Sequence, residues 1–266
     1  MWCFWLGFFV CTMMFVACGE DDRDSILQPD GRESSSSATP KSNSSETSVS
    51  TGSLTDDRDG QTYKTIKIGD QWWMAENLNY AYTGVPYNYR VYTSDSTSWC
   101  YDNDSANCTK YGRLYTWAAA MDSVETWKKN GKGCGYGKTC SPTYPVRGVC
   151  PTGWHLPAKA EFEILFTAVG GRLTAGEMLK ATSGWDSNGN GTDAFGFSVL
   201  PVGHRSYDGR YRGRGRYAYF WSSTEEDSDS AYLMYLDYSY IDNYGDSADM
   251  FNRVKYSGIS VRCVKD

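Results

Sequence analysis

Histidine is almost absent from this chain, two residues in 266, and no pair of cysteines stands in C-x-x-C spacing. Those two shortages exclude the common zinc-binding arrangements, which need clustered thiolate and imidazole ligands. No nucleophile motif and no phosphate-binding glycine loop is present, and neither histidine stands with a Ser or Cys that it could activate. His155, within Trp154-His155-Leu156-Pro157, suits a structural hydrogen bond better than catalysis, so an enzyme is not expected. Excess positive charge is also missing. A net charge of −6 and a pI near 5.1 argue against nucleic acid as a partner. The longest apolar run, Met1 to Ala17, is too short for a comfortable membrane span.

That run has another use. A short apolar stretch ending in a small residue before Cys18 reads as a secretory signal, residues 1–17. Phe15-Val16-Ala17-Cys18 resembles a bacterial lipobox, although no Lys or Arg precedes the run and Phe15 replaces the usual Leu. The implied event is cleavage before Cys18 and its lipidation, anchoring the chain by acyl burial at roughly 0.8 kcal/mol per CH₂. An uncleaved anchor is the alternative. Gly19-Glu20-Asp21-Asp22-Arg23-Asp24 resembles an acidic tag that sends lipoproteins to the outer face of the cell, and reads equally as a solvated linker. Residues 18–55 are Ser- and Thr-rich with few aliphatics, so they cannot offset the entropy of ordering and are expected to form a flexible tether. The expected location is the bacterial outer membrane or cell surface, with the membrane met through the lipid.

The folded domain is expected over 56–266, long enough to bury a core. Tyr63–Ile68 and Gln71–Met74 around Gly69-Asp70 predict a hairpin. Tyr80–Tyr92 reads as a Tyr-rich loop. Gly112–Trp127 predicts a helix with Leu114, Trp117, Ala118 and Met121 on one face, and Asn130–Val149 reads as a loop insertion. The best-specified stretch is Val149–Val169. Pro157 suits a first helical turn, Phe162, Leu165, Phe166 and Val169 make an apolar stripe, and Gly170-Gly171 stop it. A short helix over Gly176–Ala181 and strands over Gly196–Val202, Ala218–Ser223, Ala231–Tyr238 and Ile259–Val264 complete an α+β order with two main helices.

Of nine cysteines, Cys3 and Cys11 leave with the signal and Cys18 carries lipid. Cys100, Cys108, Cys134, Cys140, Cys150 and Cys263 remain, an even set that in an exported protein favours disulfides. Sequence alone leaves the connectivity open. Proximity in the chain suggests Cys100 with Cys108 and Cys134 with Cys140, leaving Cys150 with Cys263. That last bridge would contribute about 4 to 5 kcal/mol in the chain-entropy model.

Aromatics at 15%, with 21 Tyr and 10 Trp, fit either a stacking surface or a loop-rich core filled by large rings. Trp185, Trp221 and Tyr235, with Tyr238 and Tyr240, are the candidate sugar-stacking residues, Tyr235 being placed on a solvent-facing side of its strand. Asp186, Asn188, Asn190 and Asp193 alternate oxygen side chains with glycine, a pattern a hard cation such as Ca²⁺ could use, although the twelfth position is Phe197 rather than Glu. The same loop needs no metal as a turn. Arg205–Arg216 interleaves Arg210, Arg212 and Arg214 with Tyr and Gly, a combination that can bind nucleic acid or acidic polysaccharide, or forms a long hairpin loop balanced by Glu225–Asp229.

Several stretches in order carry a family resemblance: Lys67–Tyr80 with Trp72-Trp73-Met74-Ala75-Glu76-Asn77-Leu78, Trp99–Asp104, Tyr111–Trp117, Trp154-His155-Leu156-Pro157, Tyr219–Thr224 and Gly258–Val264. Together they resemble the Fibrobacter succinogenes major paralogous domain family from about Asp56 to Asp266. The family is similar in pattern to C-type-lectin-like domains and, more distantly, to formylglycine-generating-enzyme-like domains. The resemblance implies a C-type-lectin-like α+β architecture, loop-rich and disulfide-stabilised, in which a Cys150–Cys263 bridge matches the terminal cross-link of such folds. It implies a non-enzymatic binding or adhesion module, for carbohydrate or another surface protein, with a purely structural surface protein as the alternative. A copper-dependent enzyme of the formylglycine-generating kind would need free thiols, which disulfide use of all six cysteines opposes.

Overall fold

The computed structural model describes residues 49–89, 92–122, 134–238 and 247–266. Residues 1–17, Cys18, most of the expected tether and Tyr240 lie outside them. Thr47–Asp266 form a compact unit.

The predicted hairpin is present. β2 (Thr62–Ile68) and β3 (Gln71–Met74) pair antiparallel around Gly69, whose φ of +59° is the left-handed geometry that a tight turn asks of glycine. Ahead of them, β1 (Thr51–Thr55) pairs along its whole length with β2. The boundary expected at residue 56 is thus too late: the last residues assigned to the tether form an edge strand, because each has a backbone partner on β2. At the far side β3 pairs with β14 (Val264–Lys265), and β14 with β8 (Trp154–His155), closing a five-stranded antiparallel sheet in the order β1-β2-β3-β14-β8. The stretch read as a Tyr-rich loop contains β4 (Thr83–Tyr89), paired with β5 (Tyr92–Ser96).

Strand pairing also shortens the expected second helix. Leu114 and Tyr115 form β7 against β6 (Ser98–Trp99), so α2 covers Trp117–Met121, with Thr116 Oγ1 accepting from the Ala119 N–H. It follows α1 (Ser105–Tyr111), capped by the Asp104 carboxylate. The remainder of the predicted helix, residues 123–127, lies outside the described residues. The central helix α3 (Lys159–Ala168) does bury Phe162, Leu165 and Phe166. Pro157 precedes rather than opens it, and Glu161 Oε2 accepts from the Ala158 N–H at 2.8 Å. Gly170-Gly171 separate α3 from α4 (Arg172–Leu179), which is longer and begins earlier than predicted.

The C-terminal third supplies a three-stranded antiparallel sheet of β11 (Tyr217–Glu225), β12 (Ser230–Asp237) and β13 (Ala248–Val254). β9 (His204–Arg205) and β10 (Tyr211–Arg212) form a small hairpin beside it. Gly196–Val202 is not a strand; Val199 makes only an isolated bridge to Lys180. Ile259 and Ser260 likewise make isolated bridges, to Tyr115 and Phe220.

The architecture therefore corrects the expected C-type-lectin-like α+β fold with two main helices. Among the described residues strands dominate, the helices are short, and α3 at 10 residues is the longest. The physical reason lies in the three-stranded sheet, whose first strand β11 is buried on both faces. β11 sends Tyr219 and Trp221 into one cluster with Tyr115, Trp117, Val149, Leu156 and Val261. The intervening Ala218 and Phe220 enter a second cluster with Trp73, Phe162, Leu165 and Phe197. Two tryptophans lock β7 and α2 to β11: Trp117 Nε1–H of α2 donates to the Ser222 carbonyl and Trp221 Nε1–H to the Tyr115 carbonyl of β7, both at 2.8 Å.

Among the described residues three disulfides are present, Cys100–Cys108, Cys134–Cys140 and Cys150–Cys263. The last is buried in the first cluster and joins the segment before β8 to the residue before β14.

Candidate functional site

At one end of the three-stranded sheet, residues of alternate register collect rings on the face that carries Trp221. Tyr219 lies directly opposite Tyr235, their rings stacked with centroids 5.2 Å apart. Tyr217 lies 6.0 Å from each of them, and Phe251 lies 6.4 Å from Tyr235. Such cross-strand aromatic neighbours support one another and hold the rings in fixed positions. Tyr219 is buried, Tyr217 and Tyr235 are half-buried, and Phe251 is 60% exposed. The result is a shelf of rings that grades from core to solvent.

Polar groups border it. The Tyr235 hydroxyl donates to Asp237 Oδ2 at 2.9 Å, and burial with that neighbouring charge raises the phenol well above its usual range, so it stays a neutral donor. Burial likewise pushes Tyr219 up to about 12, although the nearby Arg253 opposes the shift. Arg253 lies over the Tyr219 ring at 5.3 Å, and its Nη2 donates to His204 Nε2 at 2.7 Å. An arginine can only donate, so His204 is neutral with its proton on Nδ1, which is buried without a partner. Burial first, and then the charges of Arg253 and Arg212, push His204 down to about 3. Asp249, paired with Arg172, completes the rim.

The arginine hairpin adjoins the shelf through His204, which pairs with Arg212 across β9 and β10. Gly213, at φ +77°, lets the hairpin lie on Tyr217; a Cβ there would fall 2.5 Å from the ring. Arg210 and Arg212 share Asp208, Arg214 faces Asp102 at 3.6 Å, and Arg216 faces Asp186 at 3.5 Å. The balancing carboxylates are therefore Asp208 in the hairpin's own turn and Asp102 and Asp186 on other segments. This corrects the expected role of Glu225–Asp229, where Glu225 is instead paired with buried Lys255. Arg210, Arg212 and Arg214 remain substantially exposed, with Arg210 at 77%.

The other candidates are placed differently. Trp221 is fully buried and Trp185 nearly so, its Nε1–H donating to the Val199 carbonyl at 3.0 Å. Neither offers a ring face to a ligand, because each fills a core cluster. Tyr235 does belong to the shelf, but not because its strand has a solvent face: Leu233, two residues before it on that face, is buried. The proposed cation loop does not gather its oxygens. Asn190 Oδ1 accepts from the Trp185 N–H, both Asp193 oxygens accept from Ser198, Asp186 faces Arg216, and Asn188 is exposed at positive φ. Among the described residues no group of three or more acidic, His or Cys side chains is placed to hold a metal.

Residues 66–265 match the model of the Fibrobacter succinogenes major domain. The chain belongs to that family. No curated protein and no solved structure matches it. Within this Fibrobacter succinogenes major domain, the shelf residues Tyr217, Tyr219, Phe251 and Arg253 were not singled out from sequence. Alternation in Tyr217-Ala218-Tyr219-Phe220-Trp221 carried the signal for the first two. Phe251 and Arg253 lie in β13, which has no comparable run of apolar alternation, and its burial pattern shows a largely open edge strand.

Proposed function

We propose that this Fibrobacter succinogenes major domain is exported, held to the bacterial outer membrane or cell surface by lipid on Cys18, and works as a non-enzymatic module that binds carbohydrate on its tyrosine shelf. The observation that carries the reading is the graded ring cluster Tyr217, Tyr219, Tyr235 and Phe251, bordered by Asp237, Asp249 and Arg253. A sugar ring presents an apolar C–H face that stacks on such rings, while carboxylates and a guanidinium hold its hydroxyls. The pairing of Cys150 with Cys263 speaks against a thiol-based copper enzyme.

Glycan-array binding of the mature protein tests the ligand class. Phe251→Ala and Tyr235→Ala should each weaken binding about tenfold, the loss of one stacking contact of roughly 1 kcal/mol or more. No glycan bound by the folded protein would favour the purely structural surface protein, a reading to which the burial of Tyr219 at 7% exposure also lends itself. Cys18→Ala should shift the protein from the membrane fraction to the soluble one; unchanged fractionation would refute lipid anchoring.

A further inference from the structure

Arg262 lies behind the second core cluster, its guanidinium 4.5 and 5.2 Å from the ring centroids of Phe197 and Phe220. The side chain is 2% exposed. Its Nε–H donates to Asn77 Oδ1 at 2.8 Å, Nη1 donates to the Phe197 carbonyl, and Nη2 donates to the Ser198 carbonyl at 3.1 Å. All three acceptors are neutral. The carboxylates that favour its charge, Asp193 and Glu76, act through space, since Asp193 is bonded to Ser198 and Glu76 to the Lys64 N–H. Burial outweighs them and pushes the guanidinium down to about 9. A guanidinium has five N–H hydrogens, so one further hydrogen remains on each terminal nitrogen.

A buried cation without a paired anion is costly, and this one borders a cavity. Arg262 and Asn77 form part of the wall of a cavity of about 290 Å³. Lys64 and Lys110 stand at its exposed rim, and Asn79, Thr109 and the Tyr111 ring supply amide, hydroxyl and apolar surface. Three cationic side chains in this wall face one carboxylate, Glu76. The volume is at the low end for small-molecule sites and suits one compact ligand rather than a chain of sugars.

We propose that this cavity binds a small organic carboxylate of monosaccharide size, a uronate being the class that fits. Arg262 takes the carboxylate at the base, Lys64 and Lys110 draw it in, and the amide and hydroxyl groups meet its own hydroxyls. The site is separate from the tyrosine shelf: Phe220 beneath Arg262 and Tyr219 in the shelf point to opposite faces of β11. It therefore does not depend on the shelf binding anything.

Calorimetric titration of the mature protein with glucuronate, with glucose as the uncharged counterpart and sulfate as a simple anion, tests the assignment. Glucuronate should bind and raise the melting temperature, and glucose and sulfate should bind at least about tenfold more weakly. The double variant Lys64→Gln/Lys110→Gln changes exposed residues and should retain the fold while weakening glucuronate about tenfold. Arg262→Gln, checked for folding by circular dichroism, should abolish binding; if it does not fold, the lysine variant decides alone. Absence of glucuronate binding, equal binding of glucose or sulfate, or undiminished binding by the lysine variant would overturn the proposal.

Discussion

The two histidines sit in opposite electrostatic settings, and their residue-level consequences have opposite sign. His155 is held between Glu161 and Asp266, with its ring nitrogens 2.8 and 2.7 Å from their oxygens. Burial opposes the imidazolium, but the two carboxylates outweigh it and raise the pKa above 6.5. Its stabilising contribution is therefore complete below the unfolded pKa and is lost as pH rises through the folded value. His204 is pushed down to about 3 by burial and by Arg253 and Arg212, so the unfolded chain takes up a proton below pH 6.5 that the folded protein refuses until about 3. Acidification over that window costs stability at His204 while His155 retains its contribution. Urea unfolding between about pH 5 and pH 8 separates them. His155→Gln should lose most stability at the acid end, and His204→Gln should make the protein less acid-sensitive than wild type. Parallel pH curves for wild type and either variant would refute the corresponding assignment.

At the scale of the element, chain entropy ranks the disulfides. Cys150–Cys263 spans 113 residues and Cys100–Cys108 spans 8, which in the loop-entropy model correspond to about 5 and about 2.5 kcal/mol. Cys150→Ala/Cys263→Ala should therefore lower the urea midpoint more than Cys100→Ala/Cys108→Ala, and the loss should be deepened because both sulfurs leave a core cluster. An equal effect of the two pairs would show that the long staple does not constrain the unfolded chain. The two short-loop bridges, the β2–β3 hairpin and the stripe of α3 were all legible, because each is specified by residues close in sequence or by a simple periodicity, whereas Cys150–Cys263 followed only as the remaining pair. The extent of α2 was not. Leu114 fits a helical stripe, but its backbone is taken by Trp99 from a distant segment, and no local pattern announces that competition. The same holds for the shelf. Tyr235 was legible as a ring on a strand, whereas its partners Tyr219 and Phe251 are set by strand register. Trp185 and Trp221 read as stacking residues until the packing of two clusters placed them inside.

Across the whole unit, one strand ties the two clusters together. Because β11 alternates Tyr219 and Trp221 with Ala218 and Phe220, neither cluster can lose its packing without breaking strand pairs that the other requires. The bridge from Phe220 to Ser260 and the run from Val261 to Val264 repeat that sharing, with Val261 and Cys263 in one cluster and Val264 in the other. The protein should therefore unfold in one cooperative step. Phe220→Ala removes a fully buried ring from the second cluster and should cost roughly 3 to 5 kcal/mol. The loss should appear equally in the signal from Trp117 and Trp221, which belong to the first. Urea unfolding in a Trp73→Phe/Trp185→Phe background, which removes the tryptophans of the second cluster, followed by tryptophan fluorescence and by far-ultraviolet circular dichroism makes the comparison. Coincident transitions that shift together in the variant, with an unchanged dependence on urea, are expected. A first cluster that melts at its wild-type midpoint while the second has already lost structure would mean that β11 divides two independent cores instead of joining them.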